Sequence, residues 1–231
     1  MQEVNLIGIT KPSAYTECNS PGELVAWAAR VSNPSNQNNT QTASKLIQYL
    51  IKNEHWSPLE MVHVAMEIKT TRDIARQILR HRSFSFQEFS QRYADPVKEL
   101  TFVQREARLQ DSKNRQNSIE TEDTMLKENW NMLQYALMDE ARKTYKWAIE
   151  QGIAKEQARA VLPEGMTQSV MIMAGSLRSW IHYCQLRMDE DTQKEHREVA
   201  TMCWDIIGVH FPDIIEAFND IKALEQIKKG V

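Results

Sequence analysis

The stretch RHRSFSFQEFSQRY, residues 80–93, gathers side chains that could bind an anion. Between residues 72 and 92 the chain carries five arginines, at 72, 76, 80, 82 and 92, against two acids, Asp73 and Glu88. The whole protein nevertheless has a formal net charge of -3. An arginine guanidinium stays charged at physiological pH and can hold a phosphate or a pyrimidine edge through paired hydrogen bonds. A basic cluster on a slightly acidic protein therefore predicts a small anionic ligand.

Helical spacing predicts how the cluster is arranged. Residues 70–73 carry a cap signal, and a helix over residues 71–82 would place Arg72, Arg76 and Arg80 in one row. The last two arginines of that helix have a simpler interpretation, because cations at a helix C-terminus stabilise the helix dipole by about 0.3–1 kcal/mol each. That interpretation does not explain the hydroxyl and guanidinium donors that follow in the predicted loop, which are three serines and one further arginine.

The rest of the pattern predicts one domain that contains both strands and helices. Apolar alternation and β-branched content predict strands over residues 3–10, 61–69, 101–109 and 167–175. Helical periodicity and caps predict helices over residues 21–31, 43–52, 122–151, 155–162, 176–187 and 192–210, with a last helix after Pro212. Ser20 and Ser176 are the expected N-caps, and Gly152 is the expected C′ residue. The polar segment 111–123 is expected to be an exposed loop.

Composition excludes several classes of protein. A hydrophobic fraction of 42% and a charged fraction of 26% are typical of a globular protein rather than a disordered or membrane protein. The acidic balance argues against bulk nucleic-acid binding. No basic n-region precedes the N-terminal apolar run, and the six histidines and three cysteines form no HExxH or CxxC motif. We therefore expect a cytoplasmic protein without disulfides or a metal site.

The spacing inside the basic cluster resembles a known signature. Arg80, His81 and Arg82 are followed by seven residues, then Ser90, one residue and Arg92, which is similar to the RHRx₇SxR signature of flavin-dependent thymidylate synthases. The segments HWSPLE at 55–60 and EQARAVLP through QLR at 156–187 also resemble that family. The resemblance implies an α+β fold, with a small, mostly antiparallel sheet and several long helices in a single domain over residues 1–231.

The resemblance also implies an activity and an assembly. The family transfers a methylene group from 5,10-methylenetetrahydrofolate to dUMP and reduces it to a methyl group with FAD and NADPH, giving dTMP. Its homotetramers have active sites between subunits. The implied dUMP contacts are Gln77, Ile78, Leu79, Arg80, Glu88, Phe89, Ser90, Gln91, Arg92, Arg159 and Arg187. Arg187 is the implied catalytic residue, because a guanidinium against the pyrimidine stabilises negative charge that develops on the ring.

The flavin positions follow from the same resemblance. They are Ser57, Arg80, His81, Arg82, Ser83, Glu88, Ser176, Arg178 and His182. No GxGxxG motif follows any predicted strand, so FAD would be held without a Rossmann fold. The three cysteines lie outside the basic cluster, which favours hydride transfer from reduced flavin over attack by a thiolate.

Two alternatives stay open on the residues alone. The same arginines could serve a non-catalytic nucleotide- or RNA-binding module, whose affinity for polymers would fall steeply with salt. They could also form an oligomer contact, in which case their loss would alter assembly rather than nucleotide affinity.

Overall fold

A computed structural model describes the backbone of residues 2–229 and the side chains of residues 2–221. The strands are β1 (Glu3–Ile9), β2 (His63–Thr71), β3 (Ser85–Glu88), β4 (Arg108–Gln110), β5 (Ser118–Glu120) and β6 (Gln168–Ser176). The helices are α1 (Pro21–Ala29), α2 (Ala43–Lys52), α3 (Arg72–Ile78), α4 (Pro96–Glu99), α5 (Thr124–Glu150), α6 (Lys155–Ala158), α7 (Leu177–Arg187), α8 (Lys194–His210) and α9 (Pro212–Lys229). This is the mixed helix-and-sheet architecture that the resemblance implies.

The central sheet has the strand order β1-β2-β6-β3, and each neighbouring pair is antiparallel. In β2 the predicted alternation is confirmed, because Val64, Met66 and Ile68 are buried while His63 is exposed. Met66 lies opposite Met173 of β6, and helices α7 and α8 pack on the sheet. Full burial of such side chains contributes about 1.5–3 kcal/mol each, so this layer holds the ends of α3 and α7 in place.

Three local signals are confirmed. The Ser20 side chain caps α1 by accepting from the Glu23 N–H at 3.1 Å, and Ser176 caps α7 by accepting from the Ser179 N–H at 3.2 Å. Gly152 follows the C-cap of α5 with φ of 77°, a left-handed conformation that favours glycine.

The prediction of a helix over residues 71–82 was wrong at its C-terminal end. Helix α3 stops at Ile78, and the residues that follow form tight turns in which the His81 N–H donates to the Ile78 carbonyl at 3.0 Å. Strand β3, which was predicted as a loop, then pairs with β6. The helix ends because Phe84 is buried and its ring lies 4.9 Å from that of Trp180, a tertiary contact that overrides helical propensity.

The region between β3 and α5 also differs from expectation. The predicted strand 101–109 is reduced to a single bridge between Phe102 and Thr167 and to the first two residues of β4, Arg108 and Leu109. The predicted loop 111–123 contains β5, which pairs with β4 in a hairpin. Its turn is set by Asp111, whose side chain accepts from the Lys113 and Asn114 N–H groups, a local pattern that hydrophobic periodicity does not report.

The predicted helix 155–162 is shorter than expected. Helix α6 ends at Ala158 and continues as a 3₁₀ turn over Arg159–Val161. None of the helices within residues 2–229 is both long and apolar enough to cross a membrane.

Candidate active site

The turn between α3 and β3, residues 79–84, carries the first half of the signature and is here called the signature turn. Phe84 anchors it in the core, where its ring also packs on Gly175 of β6. Arg80, Arg82 and Ser83 are exposed, and His81 points back towards α7. Because α3 ends four residues earlier than expected, the two arginines lie on this turn and not on a helical row.

A hydrogen bond joins the signature turn to the last residue of α7. Arg187 Nε donates to His81 Nε2 across 2.9 Å. Burial first, and then the neighbouring Arg187 and His182, lower the pKa of His81 to about 4. The imidazole is therefore neutral at neutral pH, with its proton on Nδ1 and Nε2 free to accept. The two Nη groups of Arg187 are left for a ligand.

The arginines of the cluster fall into two sets. Within residues 2–221, Arg80, Arg82 and Arg187 have no carboxylate within ion-pairing distance. Three others are paired, as Arg72–Glu88 at 3.5 Å, Arg76–Glu164 at 3.0 Å and Arg92–Glu156 at 3.5 Å. Cations without an internal counter-ion are the ones that an anionic ligand would neutralise, so the signature turn and the end of α7 form the basic part of the site.

The second half of the signature follows β3 directly. Glu88 accepts from Ser169 Oγ at 2.7 Å, and the Phe89 N–H donates to the Val170 carbonyl at 2.8 Å. Ser90 Oγ accepts from the Arg92 N–H at 3.3 Å. Gln91 is buried, and in the described part of the chain its amide nitrogen has no partner. A buried donor without a partner is costly, which marks this turn as a place where a ligand would supply the acceptor.

The structure does not bring all predicted dUMP residues together. Ile78 is fully buried in the core, so it could reach a ligand only through its backbone. Leu79, at the end of α3, packs partly against the same core. Arg159 lies in the turn after α6, whose Lys155 donates to the Tyr93 carbonyl at 3.0 Å, next to the second half of the signature. Among the described residues, no hydrogen bond or ion pair joins Arg159 or the second half of the signature to the His81–Arg187 pair.

Three of the predicted flavin residues line one cavity. This cavity, of about 290 Å³, is here called the Trp56 cavity. Its lining residues are Trp56, Ser83, Arg178, Ser179, Ile181, His182 and Gln185. It lies beside the 3₁₀ turn Ser57–Met61 that begins with the predicted Ser57, and Arg178 reaches Glu60 of that turn at 2.8 Å. A cation, hydroxyl donors and an aromatic edge suit a flavin with its phosphates, so the residues present fit that group.

The cavity is at the lower limit of pockets that hold drug-sized ligands, so it is too small to enclose a whole dinucleotide. Sequence reasoning missed Trp56, Ser179 and Gln185. The signals were available, because Trp56 directly precedes Ser57, and Arg178, His182 and Gln185 recur at helical spacing. Ser176, by contrast, is buried, and its hydroxyl is used to cap α7.

The cysteines do not supply a nucleophile. Cys184 and Cys203 are fully buried in the core, and burial raises the pKa of both thiols well above the ordinary value. Burial also raises the pKa of Cys18. Trp180 and Tyr183 are completely buried and pack in the core. Within the described residues, no group of three histidine, cysteine or acidic side chains could hold a metal ion.

Fold and site together define an α+β protein with a small antiparallel sheet and a group of basic side chains near the ends of α3 and α7. The family model described as "Thymidylate synthase complementing protein" matches residues 14–213. A "Probable flavin-dependent thymidylate synthase" of Paramecium bursaria Chlorella virus 1 is 46% identical over 214 residues, 93% of this chain and 97% of that protein. The "Flavin-dependent thymidylate synthase" of Synechocystis sp. is 46% identical over 219 residues, 94% and 99% of the two chains.

A solved structure shows the same fold. The UMP/dUMP methylase PolB from Streptomyces cacaoi, bound with 5-Br dUMP, has a TM-score of 0.78 and 24% identity to this chain, with 95% of each chain covered. The chain belongs to the flavin-dependent thymidylate synthase family, which confirms the resemblance drawn from the signature.

Proposed function

We propose that this protein methylates dUMP to dTMP as a flavin-dependent thymidylate synthase. In this proposal 5,10-methylenetetrahydrofolate supplies the carbon, FAD is the bound cofactor and NADPH is the reductant. The observation that carries the proposal is the hydrogen bond between Arg187 and His81, since it connects the implied catalytic residue to the signature turn. Family membership over 94% of the chain supports the same activity.

Arg187 is assigned to the pyrimidine. With Nε held by the neutral His81, its Nη groups can face the ring and stabilise the negative charge that develops there, without any proton transfer. Arg80 and Arg82 have no internal counter-ion among the described residues, so we assign them to phosphate groups. The second half of the signature adds the Ser90 hydroxyl, the unpartnered Gln91 amide and Arg92, whose exposed pair with Glu156 is weak enough for a ligand to replace.

Ser83, Arg178 and His182 are the residues that we expect to hold FAD, with Trp56 as the aromatic wall of the cavity. When bound, FAD would supply the hydride that completes the methyl group. Arg178 has to turn from Glu60 to reach a phosphate, and the 53% exposure of its side chain leaves it free to do so. The residues of this cavity bind and orient the cofactor, and they also shield one side of it from solvent.

We also propose a homotetramer with active sites shared between subunits, formed by one domain over residues 1–231. Helix α5 supports this, because it exposes eight large apolar side chains: Met125, Leu126, Trp130, Met132, Leu133, Tyr135, Leu137 and Trp147. An apolar surface of this extent is typical of a protein interface. We infer a reducing, cytoplasmic location from the three free cysteines.

The test is dTMP formation by the purified protein. With FAD, dUMP, methylenetetrahydrofolate and NADPH present, chromatography should detect dTMP, and omission of any one component should abolish it. A protein that binds FAD and dUMP but forms no dTMP would refute the activity. Binding of RNA with a steep salt dependence, without dUMP turnover, would instead favour the non-catalytic module.

A further inference from the structure

Helix α8 places a buried histidine behind the predicted nucleotide site. His196 is 0% exposed, and its Nδ1 lies 3.3 Å from Oε1 of Gln77, a predicted dUMP contact on α3. In the described part of the chain its Nε2 is buried and has no partner. Burial first, and then the charge of Arg187 and the neighbouring His81 ring, lower the pKa of His196 to about 3. The ring is therefore neutral, and one nitrogen carries a proton while the other does not.

A chain of hydrogen bonds decides which nitrogen carries the proton. The Glu195 carboxylate, held by Arg105 and Arg108, can only accept, so the Gln193 amide nitrogen donates to it at 2.9 Å. The Gln193 oxygen then faces Gln77 and accepts from the Gln77 amide nitrogen at 2.8 Å. The Gln77 oxygen must therefore face His196, which donates from Nδ1. Each amide in this chain has only one orientation that satisfies its neighbours.

We propose that His196 is a positioning residue for dUMP binding. With Gln193 it fixes the amide of Gln77, so that the second N–H of this half-buried side chain stays directed to the nucleotide. The inference rests on the proposed function, because Gln77 has this role only if dUMP binds here. Preorganisation of this kind increases affinity because no rotamer freedom is lost when the ligand binds.

A simple packing role does not explain this residue. An apolar side chain would fill the same space without leaving Nε2 unpartnered, and a buried polar atom without a partner costs about 1–3 kcal/mol. The two roles therefore predict different behaviour. A packing residue would lose stability and affinity together when replaced, whereas a positioning residue would lose dUMP affinity even where the protein stays as stable.

The experiment is a titration of the FAD-loaded protein with dUMP by calorimetry. His196→Leu should weaken binding by about two- to tenfold, the effect of one hydrogen bond, with an unfolding midpoint equal to or above that of the unsubstituted protein. His196→Asn, whose amide can donate from about the position of Nδ1, should recover most of the affinity. In a Gln77→Ala background, His196→Leu should have no further effect on dUMP affinity.

Two further variants keep the test decisive. Gln193→Met removes the other partner of the Gln77 amide and should cause a similar loss, which covers the case in which His196→Leu does not fold. Tyr183→Phe removes the other buried polar atom of this cluster without touching Gln77 and should leave dUMP affinity unchanged. Unchanged dUMP affinity in both His196→Leu and Gln193→Met would overturn this inference but not the proposed function. Failure of the unsubstituted protein to bind dUMP would overturn the proposed function as well.

Discussion

Arg187 is a cation whose Nε–H donates to the imidazole of His81, and this hydrogen bond forms only while the imidazole is neutral. The half-buried position of His81 and the adjacent guanidinium keep its pKa at about 4, so the bond persists across the physiological range. The guanidinium is thereby held by its Nε edge. At the scale of single residues, this hydrogen bond gives the guanidinium one fixed orientation in the site.

Replacing Arg187 should therefore stop the reaction and leave the fold intact. For Arg187→Ala we expect kcat to fall by about 10²–10³, the usual effect of removing one preorganised charge-stabilising donor. Arg187→Lys should recover little, because an ammonium cannot form paired hydrogen bonds in one plane. The matched control is Arg115→Ala, an exposed arginine of the β4–β5 hairpin. Near-normal turnover of Arg187→Ala would remove this residue from its proposed role.

The two neutral histidines also predict how stability depends on pH. His81 and His196 titrate at about 4 and about 3 in the folded protein, below the ordinary value of 6.5. The unfolded chain therefore binds more protons than the folded chain as the pH falls below 6.5, and the free energy of unfolding decreases progressively, down to about pH 4 for His81 and about pH 3 for His196. For the fully buried His196 the loss is about 2 kcal/mol by pH 5.

Urea unfolding at pH 7 and pH 5 measures this loss. His196→Leu should reduce the difference between the two pH values, whereas His210→Gln, a change at an exposed histidine, should not alter it. If the difference in the free energy of unfolding between pH 7 and pH 5 is equal in the unsubstituted protein and in both variants, His196 takes up its proton as readily in the folded protein as in the unfolded chain.

Single residues were predictable only where they belong to a local pattern. The signature identified His81, because its spacing is specific, and the resemblance of residues 156–187 to the family identified Arg187. His196 was missed, because its importance comes from Gln77 and Gln193 around it, which the fold brings together across more than 100 residues. The family resemblance implied Ser176 and Ile78 as site residues, although the Ser176 hydroxyl is used as a helix cap and the Ile78 side chain is buried in the core.

At the scale of elements, the contact between β6 and the signature turn is the critical packing. An added Cβ at Gly175 would lie 2.5 Å from the Phe84 ring, so Gly175→Ala must displace the side chain that anchors the turn. We expect a loss of about 1–3 kcal/mol in the free energy of unfolding, together with weaker FAD binding through the adjacent Ser83. Urea unfolding and fluorescence titration with FAD measure the two effects.

The control is Gly8→Ala in β1, where an added Cβ meets only Ala65 at 3.7 Å. It should be nearly neutral in both measurements. If Gly175→Ala is equally neutral, Phe84 does not hold the signature turn as described.

Elements with strong periodicity were predictable, and those created by tertiary contacts were not. Strand β2 and helix α5 agree with prediction to within two residues, since their apolar side chains recur at regular spacing or their ends carry caps. Strand β3 and the β4–β5 hairpin were not predicted from the sequence, because β3 forms by pairing with β6 and the hairpin depends on the Asp111 turn. The early end of α3 was not predicted either, because it depends on the tertiary contact of Phe84 with Trp180.

At the scale of the whole molecule, the exposed face of α5 predicts the assembly. Leu133→Glu, at a side chain that is 61% exposed, should dissociate the tetramer, because a charge would be buried in an apolar interface. We expect FAD binding to fall with it, since the Trp56 cavity of one chain is too small to enclose the whole of FAD. Val209→Glu, at a 77% exposed apolar residue of α8, is the control and should stay tetrameric. Light scattering that finds the unsubstituted protein monomeric would contradict the assembly.

The most direct test of the central claim is a crystal structure of the protein with FAD and dUMP bound. We expect the Arg187 guanidinium to lie within hydrogen-bonding distance of the pyrimidine, still held by His81, and the flavin to lie against Ser83, Arg178 and His182. A complex in which dUMP binds away from the signature turn, or in which the Trp56 cavity does not touch the flavin, would refute the proposed site.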